Sequence, residues 1–350
     1  MKIKEFLRKK NIDLSWKTYF ITAMGAMAQG LFASLLIGTI LDTIGNWTNA
    51  TFLNEIAAFA KNGYVCGAAI GVAVAYALKA EGLLLYTSAV VGAIGYMFTT
   101  DSTIYTAGPA GAFVAVLFAC EIGKLVYKET KVDILVTPTV TVLTGFGISW
   151  LLCPAIAYGM NYLGDFINSA TDMHPFIMGI IISVVVGILL TLPISSAAIC
   201  AMIGISGLAG GAATIGCCCQ MVGFAVMSYR ENKVGGLVAQ GLGTSMLQMG
   251  NIIRKPIIWI PTILSSAILG PVSTLLFKVT NTGVNAGMGT CGLVGPLGVI
   301  SDKGSDLSSF MFWLGLILLC IVLPAILTLL FSELMRKLGW IKDGDLKLDL

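Results

Sequence analysis

The chain has 350 residues, 57% of them hydrophobic and only 11% charged, with a formal net charge of +3 and a mean hydropathy of +0.90. A water-soluble domain carries roughly twice that charged fraction, so the composition excludes a soluble globular protein and predicts an all-α, polytopic integral membrane protein. The basic residues cluster at segment ends without interleaved aromatics, which excludes a nucleic-acid-binding surface.

Residues 1–17 (MKIKEFLRKKNIDLSWK) are charged and amphipathic. They lack the short apolar core and small-residue cleavage site of a secretory signal and read as a cytoplasmic N-terminus. A spanning helix needs about 20 mostly apolar residues. Spans are predicted at residues 18–41, 64–78, 83–98, 110–127, 135–160, 176–192, 256–277 and 310–331, with a short amphipathic helix at 53–60 lying at the interface. Gly25, Ala26 and Gly30 in the first span suit close helix contact. Glu121 precedes Lys124 by one turn and reads as a boundary ion pair. His174, just before Pro175, reads as a helix-start residue.

Residues 194–228 and 234–251 are apolar but read as fractured, and residues 281–300 as a glycine-rich hairpin. The breaks carry PISSAAI at 193–199, GGAATIGCCCQ at 210–220, GLGTSMLQMGN at 241–251 and NTGVNAGMGTCGLVGP at 281–296. Lipid does not tolerate unpaired backbone groups, so broken helices survive only where protein buries them or where they line a cavity. Secondary transporters build midplane solute sites from such pieces. Lysine and arginine clusters before the first span, after the fourth, around 230–255 and after the last put both termini on the cytoplasmic side. That gives an even number of crossings, eight or, if the fractured pieces cross, ten.

The nine cysteines are odd in number and lie in apolar segments, against a disulfide framework. With one histidine and no second ligand pair, Cys217, Cys218 and Cys219 read as small apolar fillers rather than metal ligands. The polar residues of the fractured region are neutral: Ser195, Ser196, Gln220, Gln240, Thr244, Ser245, Gln248, Asn251, Asn281, Asn285 and Thr290. Such groups hydrogen-bond a polar solute well and are poor general acids or bases. Alternatively, they pair broken helix ends with one another. No P-loop, nucleophile elbow or His/carboxylate metal spacing is present.

Residues 134–167 (ILVTPTVTVLTGFGISWLLCPAIAYGMNYLGDFI), PISSAAI and GTSMLQMGNIIRKPIIWIP at 243–261 resemble the membrane-embedded EIIC component of the bacterial phosphotransferase system (PTS), the sugar permeases of the glucose–fructose superfamily. NAGMGTCGLVGPLG and the tail GWIKDGDLK are similar to a divergent stand-alone branch that includes the perfringolysin O regulator. PISSAAI falls where fructose-type permeases carry P-[IV]-N-K-A-A-Y, and 243–261 where they carry G-I-T-E and a proline-ended helix. Three departures matter. Counting back from Pro261 puts Met246 at the signature glutamate, Asn285 lies near the expected histidine, and Ser195 and Ser196 replace the Asn-Lys pair.

The resemblance implies an EIIC-like fold with re-entrant hairpins in a homodimer within the bacterial cytoplasmic membrane. Residues 18–170 would form the dimerising half, 171–333 the transport half with broken helices, and 334–350 a cytoplasmic tail. The expected function is alternating-access transport of a small polar solute, a sugar or sugar-like compound, without phosphotransfer by this chain. Ser195, Ser196, Gln248, Asn251, Asn281 and Asn285 are the expected solute contacts; no catalytic residue, metal or cofactor is assigned. Two other readings stay open: a genuine sugar permease working with separate IIA and IIB proteins, and a membrane sensor that binds a ligand without transport.

Overall fold

The computed structural model describes residue 6 and residues 9–100, 103–303 and 310–348. Much of the predicted amphipathic N-terminus lies outside the described residues. The chain forms two compact units, Met1–Met160 and Asn161–Leu350.

In the first unit, helix α1 (Thr18–Asn46) is followed by the short α2 (Thr51–Ala60), which meets α3 (Gly63–Ala77) at a 56° bend. Phe52, Ile56 and Phe59 are exposed along one side of α2, the pattern of a helix lying in the interface. Helix α4 (Gly82–Tyr96) leads into an antiparallel ribbon, β1 (Phe98–Thr100) and β2 (Thr103–Tyr105), in which Phe98 stands opposite Tyr105. Helix α5 (Gly108–Val126) and the long α6 (Asp133–Thr171), which runs past the unit boundary, follow. Small residues let the backbones touch. Alanine at Gly71 would run into the Ser88 carbonyl, and at Gly30 would lie 2.8 Å from the Ile70 Cα. The small residues of the first span therefore serve contact with α3 at Gly30, whereas Gly25 faces open space. Lys124 pairs with Glu121 at 2.9 Å and donates to the Asn11 carbonyl at 3.0 Å, as the one-turn spacing predicts.

In the second unit, α7 (Pro175–Thr191) starts at His174, whose Nδ1 accepts the Phe176 N–H at 3.3 Å. Then come α8 (Ser196–Met202), α9 (Gly207–Met227), α10 (Tyr229–Val238), α11 (Met249–Arg254), α12 (Pro256–Phe277), α13 (Gly283–Ala286), α14 (Val294–Lys303) and α15 (Phe310–Lys337). Each of the eight predicted spans is helical. Among the described residues six helices are long and apolar enough to cross a membrane, or seven if the bent pair α2–α3 counts as one span. Helices α4 and α7, at 15 and 17 residues, fall short of a full span by length.

One expectation is corrected. GGAATIGCCCQ does not mark a break: it lies inside α9, an unbroken helix of 21 residues that is buried over nearly its whole length. Its glycines are there for close approach. A Cβ at Gly216 would strike the Ser183 carbonyl of α7. At Gly211 and Gly210 it would strike the carbonyls of Val279 and Asn281. A Cβ at Gly223 would lie 2.8 Å from side-chain atoms of Thr262 on α12 and Thr328 on α15. The breaks lie at Leu192–Ser195, at residues 203–206, at Lys233 (φ 51°) within α10, in the wide turn Ala239–Gly243 with the 3₁₀ turn Ser245–Gln248, and across residues 278–293. After α15 the chain turns at Gly339 (φ 74°) and docks on its own unit, burying Ile341 and Leu346.

Candidate functional site

Polar side chains of the second unit gather in three clusters. In the first, Asn281 is fully buried. Its Nδ2 donates to Thr214 Oγ1 at 2.8 Å and to the Gly295 carbonyl at 3.1 Å, and its Oδ1 accepts the Thr282 N–H at 2.8 Å. Asn285 packs beside it against Gly298, where a Cβ would lie 2.5 Å from Asn281 Oδ1. Ser196, at the start of α8, donates to the Gly287 carbonyl at 2.7 Å. Ser195 is half-buried immediately before it. The first break and the 281–298 segment thus meet, through backbone carbonyls that broken helices leave free.

The second cluster is built around Gln220, near the middle of α9 and fully buried. Its Oε1 accepts from Trp259 Nε1 at 2.9 Å, Thr262 Oγ1 at 2.9 Å and Thr191 Oγ1 at 3.4 Å. An indole N–H only donates, so this end of the amide is the oxygen. Thr191 also pairs with Ser245 Oγ at 2.9 Å. The amide Nε2 has no partner among the described residues. A buried donor left without an acceptor costs about 1–3 kcal/mol, so this N–H pair is a ready contact for a hydroxyl or carbonyl oxygen. Three breaks converge here: the end of α7, the 3₁₀ turn at Ser245 and the start of α12.

The third cluster is an amide ladder. Gln240 donates to Ser228 Oγ and the Gly236 carbonyl, both at 2.9 Å, and accepts from Gln248 Nε2 at 2.9 Å. Gln248 Oε1 accepts from Asn251 Nδ2 at 2.8 Å, and Asn251 Oδ1 from Arg254 at 2.9 Å. The C-terminal segment closes this ladder: the Leu346 carbonyl accepts from Gln248 at 3.0 Å and from Asn232 at 2.8 Å, and the Lys347 carbonyl from Asn251 at 2.9 Å. Lys255 holds Asp345 at 2.6 Å. Burial alone would raise the Asp345 carboxyl. The hydrogen bonds from Lys255 and the Lys342 N–H, with the charges of Lys255 and Arg254, outweigh it and hold the carboxyl below its ordinary value.

The six candidates therefore fall in two groups. Ser195, Ser196, Asn281 and Asn285 lie in the first cluster's segments, and Gln248 and Asn251 in the third. The clusters are linked through Thr290, whose hydroxyl bonds the Gly241 carbonyl at 2.5 Å. Sequence reasoning passed over Gln220 as a centre and Asn232, Trp259 and Thr262 altogether. The one usable signal was an amide following three cysteines on an apolar helix. Cavities of about 250 Å³ in the first unit (beside Lys79, Lys124 and Lys128) and about 190 Å³ in the second (beside Phe277 and Phe312) are not lined by any of the six. Met246, at the register of the expected glutamate, is buried. The cysteine trio packs inward, with Cys218 and Cys219 against Leu269, Leu319 and Cys320.

A family model described as "Phosphotransferase system, EIIC" matches residues 21–348. No match is found among curated proteins or among solved structures.

Proposed function

The chain belongs to the phosphotransferase system EIIC family, and from that premise we propose that it carries a sugar or sugar-like solute by alternating access without itself taking part in phosphoryl transfer. Family membership implies a multi-pass protein in a lipid bilayer and sugar transport. The mechanism, the uncoupling from phosphate and the site are the proposal.

The observation that carries it is the chemistry of the three clusters. Apart from Arg254 and the Lys255–Asp345 ion pair at the edge of the third, whose carboxyl is held below its ordinary value, their side chains are amides, hydroxyls and an indole. A group that activates a sugar hydroxyl has to accept a proton near neutral pH. Met246 has no such capacity, and neither do Asn285, Gln248 or Gln220. Neutral donors and acceptors instead suit reversible binding of a polyol. Ser195, Ser196, Asn281 and Asn285 would contact the solute together with free backbone groups at the breaks. Gln248 and Asn251 would join them once uncovered. Gln220 is added because its Nε2 donors are buried and have no partner among the described residues.

The proposal extends to a homodimer formed through residues 18–170, a moving half at 171–333, both termini in the cytoplasm of a bacterial cell, and membership of the stand-alone branch. The basic clusters at segment ends support the orientation. The test is uptake of a panel of radiolabelled sugars into proteoliposomes, with and without phosphoenolpyruvate and the soluble phosphotransfer proteins. Downhill accumulation of unmodified sugar without a phosphate donor is expected. Uptake that strictly needs the donor and delivers sugar phosphate would establish a permease served by a separate IIB protein. Saturable binding with no accumulation would establish a sensor.

A further inference from the structure

The C-terminal segment is held in the way a groove holds a peptide. Its main chain is read on both sides. Asn232 Nδ2 donates to the Leu346 carbonyl at 2.8 Å, while Asn232 Oδ1 accepts the Leu348 N–H at 2.8 Å. Gln248 and Asn251 bond the successive carbonyls of Leu346 and Lys347. Two apolar anchors complete the fit: Ile341 at 2% exposure and Leu346 at 0%. One charge pair, Lys255–Asp345, fixes the register. Main-chain hydrogen bonds for affinity, with pockets for selected side chains, are the signature of extended-peptide recognition.

We infer that Asn232, Gln248 and Asn251 form a peptide-binding site whose ligand is the chain's own segment 339–348, and that release of this segment uncovers the Gln248–Asn251 amides to the aqueous side. The energetics allow a switch. The segment lies beyond the last span, so its polar contacts exchange with water on release, and the net worth of each is small. Local opening of such a strap is far easier than unfolding the helices beneath it. Release leaves the donors of Gln248 and Asn251 without their backbone acceptors, ready for water, a solute hydroxyl or a returning peptide. The inference goes beyond the transport reading and does not depend on the identity of any solute.

The test uses the full-length chain in lipid nanodiscs, with Gln248→Cys as reporter and a membrane-impermeant maleimide as probe. The parent chain, whose nine cysteines are all buried, sets the background. Gln248→Cys removes one tail contact and leaves those of Asn232, Asn251 and Lys255 in place. Adding Leu346→Asp, which forces a charge into a closed apolar pocket, is expected to speed labelling about tenfold or more. A synthetic peptide of residues 339–348 added in trans should return the rate toward the starting value, and a scrambled peptide should not. Equal labelling rates with and without Leu346→Asp would overturn the inference, as would equal protection by both peptides. Should Leu346→Asp fail to yield folded protein, hydrogen exchange decides. Residues 340–348 are expected to be protected in the parent chain and to lose that protection in Asn232→Ala/Lys255→Ala. Exchange at the free-peptide rate in the parent refutes the docked state.

Discussion

Replacing Gln220 by methionine removes an oxygen that accepts three hydrogen bonds, yet the structure limits the damage to one of them. Thr262 keeps the Trp259 carbonyl at 2.9 Å, and Thr191 keeps Ser245 at 2.9 Å. Only the Trp259 indole N–H loses its acceptor, at 2.9 Å in the parent. An orphaned buried donor costs about 1–3 kcal/mol, and interhelical hydrogen bonds in bilayers run lower, averaging about 0.6 kcal/mol. Trp259 is half-buried, which places the expected term at about 1 kcal/mol. The single variant also removes the unpartnered Nε2, a gain of opposite sign, so its stability alone is uninformative. A double-mutant cycle separates the two. Gln220→Met measured with and without Trp259→Phe carries the Nε2 effect in both arms, where it cancels. The expected coupling is about 1 kcal/mol, read by reversible SDS titration followed by helical circular dichroism. Coupling within about 0.3 kcal/mol of zero would be plain additivity, and would refute the claim that Gln220 is the acceptor that fastens α12 to α9.

Gly216→Ala should cost at least about 1–3 kcal/mol, because the new methyl meets the Ser183 carbonyl rather than a flexible side chain. Gly147→Ala, facing open space within α6, should be neutral or stabilising by up to about 1 kcal/mol; a Gly216→Ala protein that melts no lower than Gly147→Ala would show that the contact with the Ser183 carbonyl does not decide. Lys124→Met should destabilise the first unit by about 3 kcal/mol by stranding Glu121 in a largely buried position; Glu121→Gln in the same chain should recover most of it, and a Lys124→Met protein as stable as the parent would show that the pair is solvated. Because the folded Asp345 carboxyl lies below its unfolded value of about 3.9, its contribution to tail docking is complete above that pH and is lost as pH falls through the lower folded value. Tryptic release of the tail should therefore be flat from pH 5 to 8, while acid-stable pepsin should cut the tail faster only well below pH 4; tail release that changes near pH 6 would contradict this.

The spans were legible because an apolar run of sufficient length has few alternatives in lipid, and all eight runs are helices. The misreading at α9 has a specific cause. Glycine weakens a helix in water, but in a packed membrane bundle it marks where backbones approach, and the two cases share one sequence pattern. The polar character of the candidate site was equally legible, whereas its grouping was not. The partners of Gln220 lie 29, 39 and 42 residues away in sequence, a separation over which helical periodicity carries no information. The tail offered a faint clue, since Ile341 and Leu346 are apolar residues in a segment otherwise rich in charge. Their burial depends on amides at 232, 248 and 251 that only the folded chain brings together.

The glycine face of α9 bears on motion as well as packing. Helices that interlock through side chains must lift ridges out of grooves before they slide. Where Gly216 lies on the Ser183 backbone and Gly210 and Gly211 on the carbonyls of Asn281 and Val279, the surfaces are nearly smooth. Displacement along such a seam would break few interdigitated contacts at these glycines, so in the proposed alternating-access cycle α7 and the 279–281 segment would shear past α9 against a low barrier. In that proposed cycle the polar bonds that cross the seams, from Asn281 to Thr214 and from Thr191 to Gln220, would act as detents: they would set where the sliding elements rest, while the glycines let them leave.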